Sequence, residues 1–142
     1  MAALSDYAEK LLLDYSMTAG SVTRPTAWYV ALYTSAPNDA GGGTEVSGSG
    51  YTRKTVAFAA ATSGAGTTSN SGDVSWTASG GAFGTVVAIG IHDASSGGNL
   101  LWHGNMTASK TIADGDTLEF SAGNMDLTLA QGYTMADRFR VL

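Results

Sequence analysis

The amino-acid sequence predicts a mainly β fold: one antiparallel β-sandwich domain, jelly-roll or Ig-like, of about eight short strands, with a single N-terminal α-helix. Three observations carry this expectation. Runs of β-branched and aromatic residues recur at Trp28 to Thr34, Val86 to His92 and Leu100 to Asn105. Clusters of Gly, Asn, Ser and Asp separate them as turn signals. Clear helical periodicity is confined to the N-terminal segment.

The elements follow in order. Ser5 is a helix N-cap candidate, and Asp6 stands where the helix dipole favours an anion. Leu4, Ala8, Leu11, Leu12 and Tyr15 recur at helical spacing, as a stripe meant for the core or an interface. The helix is expected to end between Met17 and Gly20, and Pro25 prevents its resumption. Trp28 to Thr34 is apolar on both faces and opens the strands. A long loop over residues 35–50 contains Gly41, Gly42 and Gly43. Tyr51 to Ala59 alternates, with Val56 and Phe58 expected inward. Thr62 to Ser71 reads as a polar connection, and Val74 with Trp76 as a short strand. Asp93 to Asn99 is a hairpin turn between Val86–His92 and the returning strand Leu100–Asn105. After Ile112, Asp114-Gly115-Asp116 turns the chain into Thr117–Phe120, and Gly123-Asn124 turns it into Met125–Leu129. The domain plan is therefore a helix over residues 1–20, a sandwich over 21–129 and a C-terminal arm over 130–142.

A length of 142 residues suits one domain with a real core. Hydrophobic residues make up 44%, but charged residues only 13%, well below the usual quarter or so. Ala, Gly, Ser and Thr supply about half of the chain. Such a surface loses little side-chain entropy when a partner covers it, which points to an assembly protein. The net charge is −5 and the seven basic residues are scattered, so nucleic-acid binding is not expected. No apolar run approaches the roughly 20 residues of a membrane span. The N-terminus has no basic start, and its apolar run is only Leu11 to Leu13, so no secretory signal is expected. With no cysteine, disulfides and thiolate metal sites are excluded.

The chemistry of an enzyme is thin. His92 and His103 each stand in or near a strand end, the usual setting of a structural histidine. No Gly-x-Ser-x-Gly elbow and no phosphate-binding loop occur. Asp114 and Asp116 offer oxygens to calcium, although a plain turn explains them better. Asp39 and Glu45 bracket the first long loop and form a conceivable glycosidase pair, with solvated loop carboxylates the simpler reading. Asn105-Met106-Thr107 matches the glycosylation sequon without a secretory context. Tyr29, Tyr33, Tyr51 and Trp102 either bind sugar or protein, or fill the second face of the sandwich. No catalytic residue, cofactor or metal is expected.

One ordered series has a further meaning. It comprises Tyr29-Val30-Ala31-Leu32-Tyr33-Thr34, Ala36-Pro37, Gly43-Thr44-Glu45-Val46-Ser47-Gly48 and Gly50-Tyr51-Thr52-Arg53-Lys54. It continues through Ser69-Asn70, Phe83-Gly84-Thr85-Val86, Gly90-Ile91-His92-Asp93-Ala94, Gly97-Gly98-Asn99-Leu100-Leu101-Trp102, and Lys110-Thr111-Ile112 with Gly115-Asp116-Thr117. This series resembles a family of small virion proteins of tailed bacteriophages commonly labelled tail-fibre protein. The resemblance runs from the helix to about Leu129 and implies a non-enzymatic structural role in the virion, assembled in the host cytoplasm. A compact acidic domain without repeats or a coiled coil suits capsid decoration, as a cement protein bridging capsid subunits. The alternative is a tail-fibre or other tail-associated protein in host adsorption, binding carbohydrate. The expected partners are the major capsid protein or other virion proteins and further copies of the chain. The candidate assembly contacts are Leu4, Tyr7 and Leu11 near the N-terminus and Arg138, Phe139 and Arg140 in the C-terminal arm, the arginines facing acidic capsid surface.

Overall fold

A computed structural model describes residues 2–129. Within them lie one helix and ten short strands, and every strand pairing is antiparallel. The chain opens with β1 (Ala2–Leu4), followed by α1 (Asp6–Ser16) and β2 (Tyr29–Ser35). Two-residue strands β3 (Thr44–Glu45) and β4 (Lys54–Thr55) come next, then β5 (Thr67–Ser69) and β6 (Val74–Thr77). The long hairpin β7 (Gly84–His92) and β8 (Leu100–Ile112) precedes β9 (Thr117–Phe120) and β10 (Asp126–Thr128).

The principal sheet has the order β1-β8-β7-β2, and β3 and β4 share the remaining edge of β2. Two small ladders, β6–β9 and β5–β10, supply a second layer. The core lies between the layers. Val30 and Leu32 of β2, Val86 of β7 and Ile112 of β8 pack with Val74 and Trp76 of β6 and Leu118 of β9. The Trp76 indole N–H, buried with its ring, donates to Thr52 O at 2.9 Å, as a buried polar tip must. The other face of β2 and β7 buries a smaller cluster of Ala31, Tyr33 and Ala88. Both faces of β2 are thus covered, which is why Tyr29–Ser35 carries no apolar-polar alternation.

Two glycines are required by contact. A Cβ on Gly90 would stand 2.9 Å from Leu100 Cδ1 and from Tyr33 Cε2, so glycine lets the Tyr33 ring lie across β7. A Cβ on Gly43 would stand 2.6 Å from Ser35 O, and its φ of +74° is itself a left-handed value. This glycine returns the first loop to β3 alongside β2.

Several elements differ from the sequence expectation, each for a local reason. Leu4 lies in β1, opposite Trp102, and is not part of the helix stripe. Three residues are too few to show a strand period. The helix is capped by Ser5, whose Oγ accepts from Ala8 N at 3.1 Å, and it ends at Ser16. The alternation over Tyr51 to Ala59 yields only the two residues of β4, since β2 pairs with this stretch at Lys54 and Thr55 alone. Val56 is buried there, while Phe58 is only half-buried. The polar stretch 62–71 contains β5, which pairs with β10 beside the buried Asn70. Asn70 Nδ2 donates to Gly72 O and Ser121 O, and its Oδ1 accepts from Met125 N. β8 runs to Ile112 with a wide bulge, since Val86 faces Lys110 whereas Ala88 faces Asn105. The bulge lets Val86 and Ile89, of unlike parity, both reach the core.

Candidate functional site

Ser5 begins the site. Its N–H donates to Leu101 O at 2.9 Å and its hydroxyl donates to Leu100 O, fastening the start of α1 onto β8. Asp6 N donates to Asp39 O at 2.9 Å, so the loop after β2 is drawn to the same place. That loop closes on itself through paired hydrogen bonds between Asn38 and Gly41. The β7–β8 turn forms the third wall. Asp93 Oδ1 accepts Asn99 N at 2.7 Å and Asp93 Oδ2 accepts Asn99 Nδ2 at 2.8 Å. Between these three segments lies a cleft of about 520 Å³, with Tyr33 and His92 beneath and Tyr7, Asp39 and Asn99 around it.

The floor is a chain of buried polar groups. Tyr33 Oη lies 2.7 Å from His92 Nε2, and the two rings stack with centroids 6.3 Å apart. His92 Nδ1 is buried and has no hydrogen-bond partner. Burial, helped by the charge of Arg53, pushes the imidazole down to about 4, so it is neutral near pH 7. Behind it, Arg53 grips Glu45 with two parallel bonds, Nε to Oε1 and Nη2 to Oε2, both 2.9 Å. Arg53 Nη1 also donates to Ala94 O at 3.0 Å and to Gly97 O at 2.8 Å, bracing the β7–β8 turn. Tyr51 donates to Glu45 Oε1 at 2.8 Å and accepts Leu32 N at 3.0 Å, where the β2 edge passes from β4 to β3. Burial would raise the Glu45 carboxyl, but hydrogen bonds from Arg53 and Tyr51 outweigh it and hold the group below its ordinary value. Burial raises the Tyr33 and Tyr51 phenols.

The sequence candidates disperse across the structure. Tyr7 lines the cleft and is 39% exposed, whereas Leu4 is in β1 and Leu11 is half-buried on α1. Arg138, Phe139 and Arg140 lie outside the described residues, as does the whole arm 130–142. The two carboxylates weighed as an acid pair are both engaged: Glu45 with Arg53, and Asp39 Oδ1 with His103 Nε2 at 2.8 Å. Asp116 Oδ2 accepts Ala113 N and Asp114 Oδ1 accepts Gly80 N, which makes both of them turn residues. Among the described residues no group of three His, Asp or Glu is placed to hold a metal ion. Trp102 lies away from the cleft, in an apolar groove of about 470 Å³ lined also by Ile89, Met106 and Phe120. Tyr33 is buried in β2, and the Tyr51 hydroxyl is held by Glu45 and Leu32 N, so neither ring is an exposed aromatic. Sequence reasoning missed Asn99 and the Arg53–Glu45 fork. Both sit in the recurrent Gly-rich segments, but their partners are set by strand pairing that spacing does not reveal.

A second surface stands out on α1. Leu13, Tyr15 and Met17 are 58%, 75% and 77% exposed, and Leu12 and Tyr7 are open as well. Only Ala8 of the helix is buried. The exposed apolar side chains share the open side of the helix with exposed Glu9, Lys10 and Ser16. No helix among the described residues is long and apolar enough to cross a membrane.

No curated protein matches the chain. The family model described as "Podophage GP4 fiber I protein gp80" matches residues 3–128. Since that match runs from β1 through β10, the chain belongs to this family of podophage fibre proteins.

Proposed function

We infer that the protein is a non-enzymatic structural part of a podophage fibre, docked to other virion proteins or further copies of itself through the open face of α1. Membership of a phage fibre family makes it a virion component. The single observation supporting the docking role is the group of exposed apolar residues Leu12, Leu13 and Tyr15 on a helix whose start is fastened to β8 through Ser5, with exposed Met17 at its C-cap. The chemistry-bearing side chains support a structural role as well. Among the described residues Glu45 is paired with Arg53, Asp39 with His103, and the His92 imidazole with the Tyr33 hydroxyl. We assign no role to nucleic acid or membrane.

Capsid decoration, the reading preferred from composition, draws on the small-residue surface and the compact acidic domain. The family description favours the fibre. Cryo-electron microscopy of the virion separates the two: density confined to the tail region is the expected result, and a distribution over the whole shell would return the protein to decoration. Replacing Leu13 and Tyr15 together by Ser is expected to change stability by less than about 0.5 kcal/mol while sharply reducing incorporation into particles. Normal incorporation of this variant would remove α1 from the interface.

A further inference from the structure

We propose that the open side of α1 on one copy docks into the apolar groove beside Trp102 on the next copy, joining like chains head to tail. This contact rests on the docking role of α1 and names both its partner and the surface that receives the helix. The groove, of about 470 Å³, is lined by Trp102 and Met106 of β8, Phe120 of β9 and Leu127 of β10. Ile89, Met106 and Phe120 also pack against the sandwich core, so the groove continues that core out to the surface. Ile89 and Ile91 alternate along β7 with Gly90 and His92, and Trp102 pairs with Ile91. The groove therefore lies on the opposite face of the principal sheet from the Tyr33–His92 cleft, beside which Ser5 and Asp6 fasten α1. Helix and groove thus meet separate neighbours, which is the arrangement of a heterologous contact and not of a two-fold one.

Charge points to the occupant. The groove carries exposed Lys110 on β8 and exposed Glu119 and Asp126 on β9 and β10. On α1, exposed Glu9 and Lys10 stand one turn before Leu12 and Leu13 on the same side of the helix. Opposite signs can therefore meet both ways, Lys10 with the Glu119 and Asp126 wall and Glu9 with Lys110. Lys10 also pairs with Asp14 on its own helix, but an exposed pair of this spacing is weak and does not withhold the ammonium from a second carboxylate. Rim charges of this kind set register more than affinity. The affinity comes from Leu13 and Met17, exposed and four positions apart, entering the groove as an amphipathic helix enters an apolar channel. The unbranched side chains of Met106 and Met125 let the channel adapt to the helix.

Sedimentation of the full chain is the test. The native chain is expected to form species larger than a dimer, since a head-to-tail contact repeats until a ring closes or a filament grows. Ala108→Arg and Thr107→Arg, at exposed positions on the groove wall, are each expected to sediment as monomers with an unchanged melting temperature. The Leu13→Ser, Tyr15→Ser double variant is expected to do the same. Mixed in equal amounts, a groove variant and the helix variant are expected to form a one-to-one dimer and nothing larger, because one intact helix and one intact groove remain. Glu119→Lys is expected to weaken association about two- to fivefold, and Lys10→Glu in the same chain to restore it. A native chain that stays monomeric, folded groove variants that associate normally, or a mixture that stays monomeric would overturn the proposal. Groove variants that associate normally while the helix variant does not would leave α1 a docking face with a different partner. Normal association and normal particle incorporation of the helix variant would remove that docking role as well.

Discussion

Arg53 is the side chain on which the most separate pieces depend. Its guanidinium joins β3 to the β7–β8 turn, and the side chain is only 8% exposed. Arg53→Met keeps the length of the stem but leaves Glu45 half-buried without its cation and two carbonyls without a donor. Because Glu45 retains some solvent, the expected loss is about 2–3 kcal/mol, below that for a fully buried pair. Urea denaturation measures it. His92 gives a pH signature with a definite sign. The folded imidazole titrates near 4, far below its ordinary 6.5, so between these values the unfolded chain binds the extra proton. Its contribution is whole above about pH 6.5, declines as pH falls toward 4 and is gone below that. Glu45, whose folded carboxyl is also depressed, loses its contribution at the acid end of the same range. The melting temperature should therefore fall from pH 7 to pH 4, and His92→Gln should flatten the upper part of that fall. An equally steep fall in the variant would assign the dependence to other groups. From sequence, His92 was legible as a structural histidine at a strand end. Its partner Tyr33, 59 residues away, was not, because side-chain alternation tells which face a residue takes and not which strand lies beside it.

At the scale of elements, legibility followed the strength of the local signal. Tyr29–Ser35, Gly84–His92 and the Asp93–Asn99 turn were plain, since continuous apolar runs end there in Gly-rich punctuation. β5 was invisible because Thr67–Ser69 has no apolar residue to mark a face, and it exists through pairing with β10 around Asn70. Ser5 was rightly read as a cap, yet it also donates to β8, a duty no helix signal announces. Ser5→Ala is expected to cost about 1–2 kcal/mol through the cap and to act locally. Hydrogen exchange should show faster opening of α1 amides while Val30–Leu32 and Val86–Ala88 keep their protection. Uniform acceleration across the sheet would mean that α1 and the sandwich open as one unit.

For the whole molecule, low charge and small side chains were enough to suggest assembly, and the ordered Gly-rich segments were enough to suggest the phage family. The cleft was not legible. Its walls come from residues near 6, 39 and 99, and only the antiparallel order β1-β8-β7-β2 brings them together. The exposed apolar helix was half-legible: the stripe was seen, but whether it met the core or a partner depends on how far α1 stands from the sheet. The chain carries a net charge of −5, Arg53 is engaged with Glu45, and the exposed face of α1 is rich in apolar side chains. Self-association through α1 is therefore expected to persist at high salt. Sedimentation in 0.1 M and 1 M NaCl checks this, and dissociation at 1 M would mean charge pairs hold the contact.

The bond from Ser5 to Leu100 spans 95 positions, and this orders events during synthesis. The N-terminal segment leaves the ribosome first, but the strand it fastens to is made far later. At 5–20 residues per second the wait is about 5–20 s. Throughout it the leucines and tyrosines of residues 7–15 belong to a nascent chain with nowhere of its own to dock. Their exposure to the surrounding cell therefore precedes the folded domain by that interval.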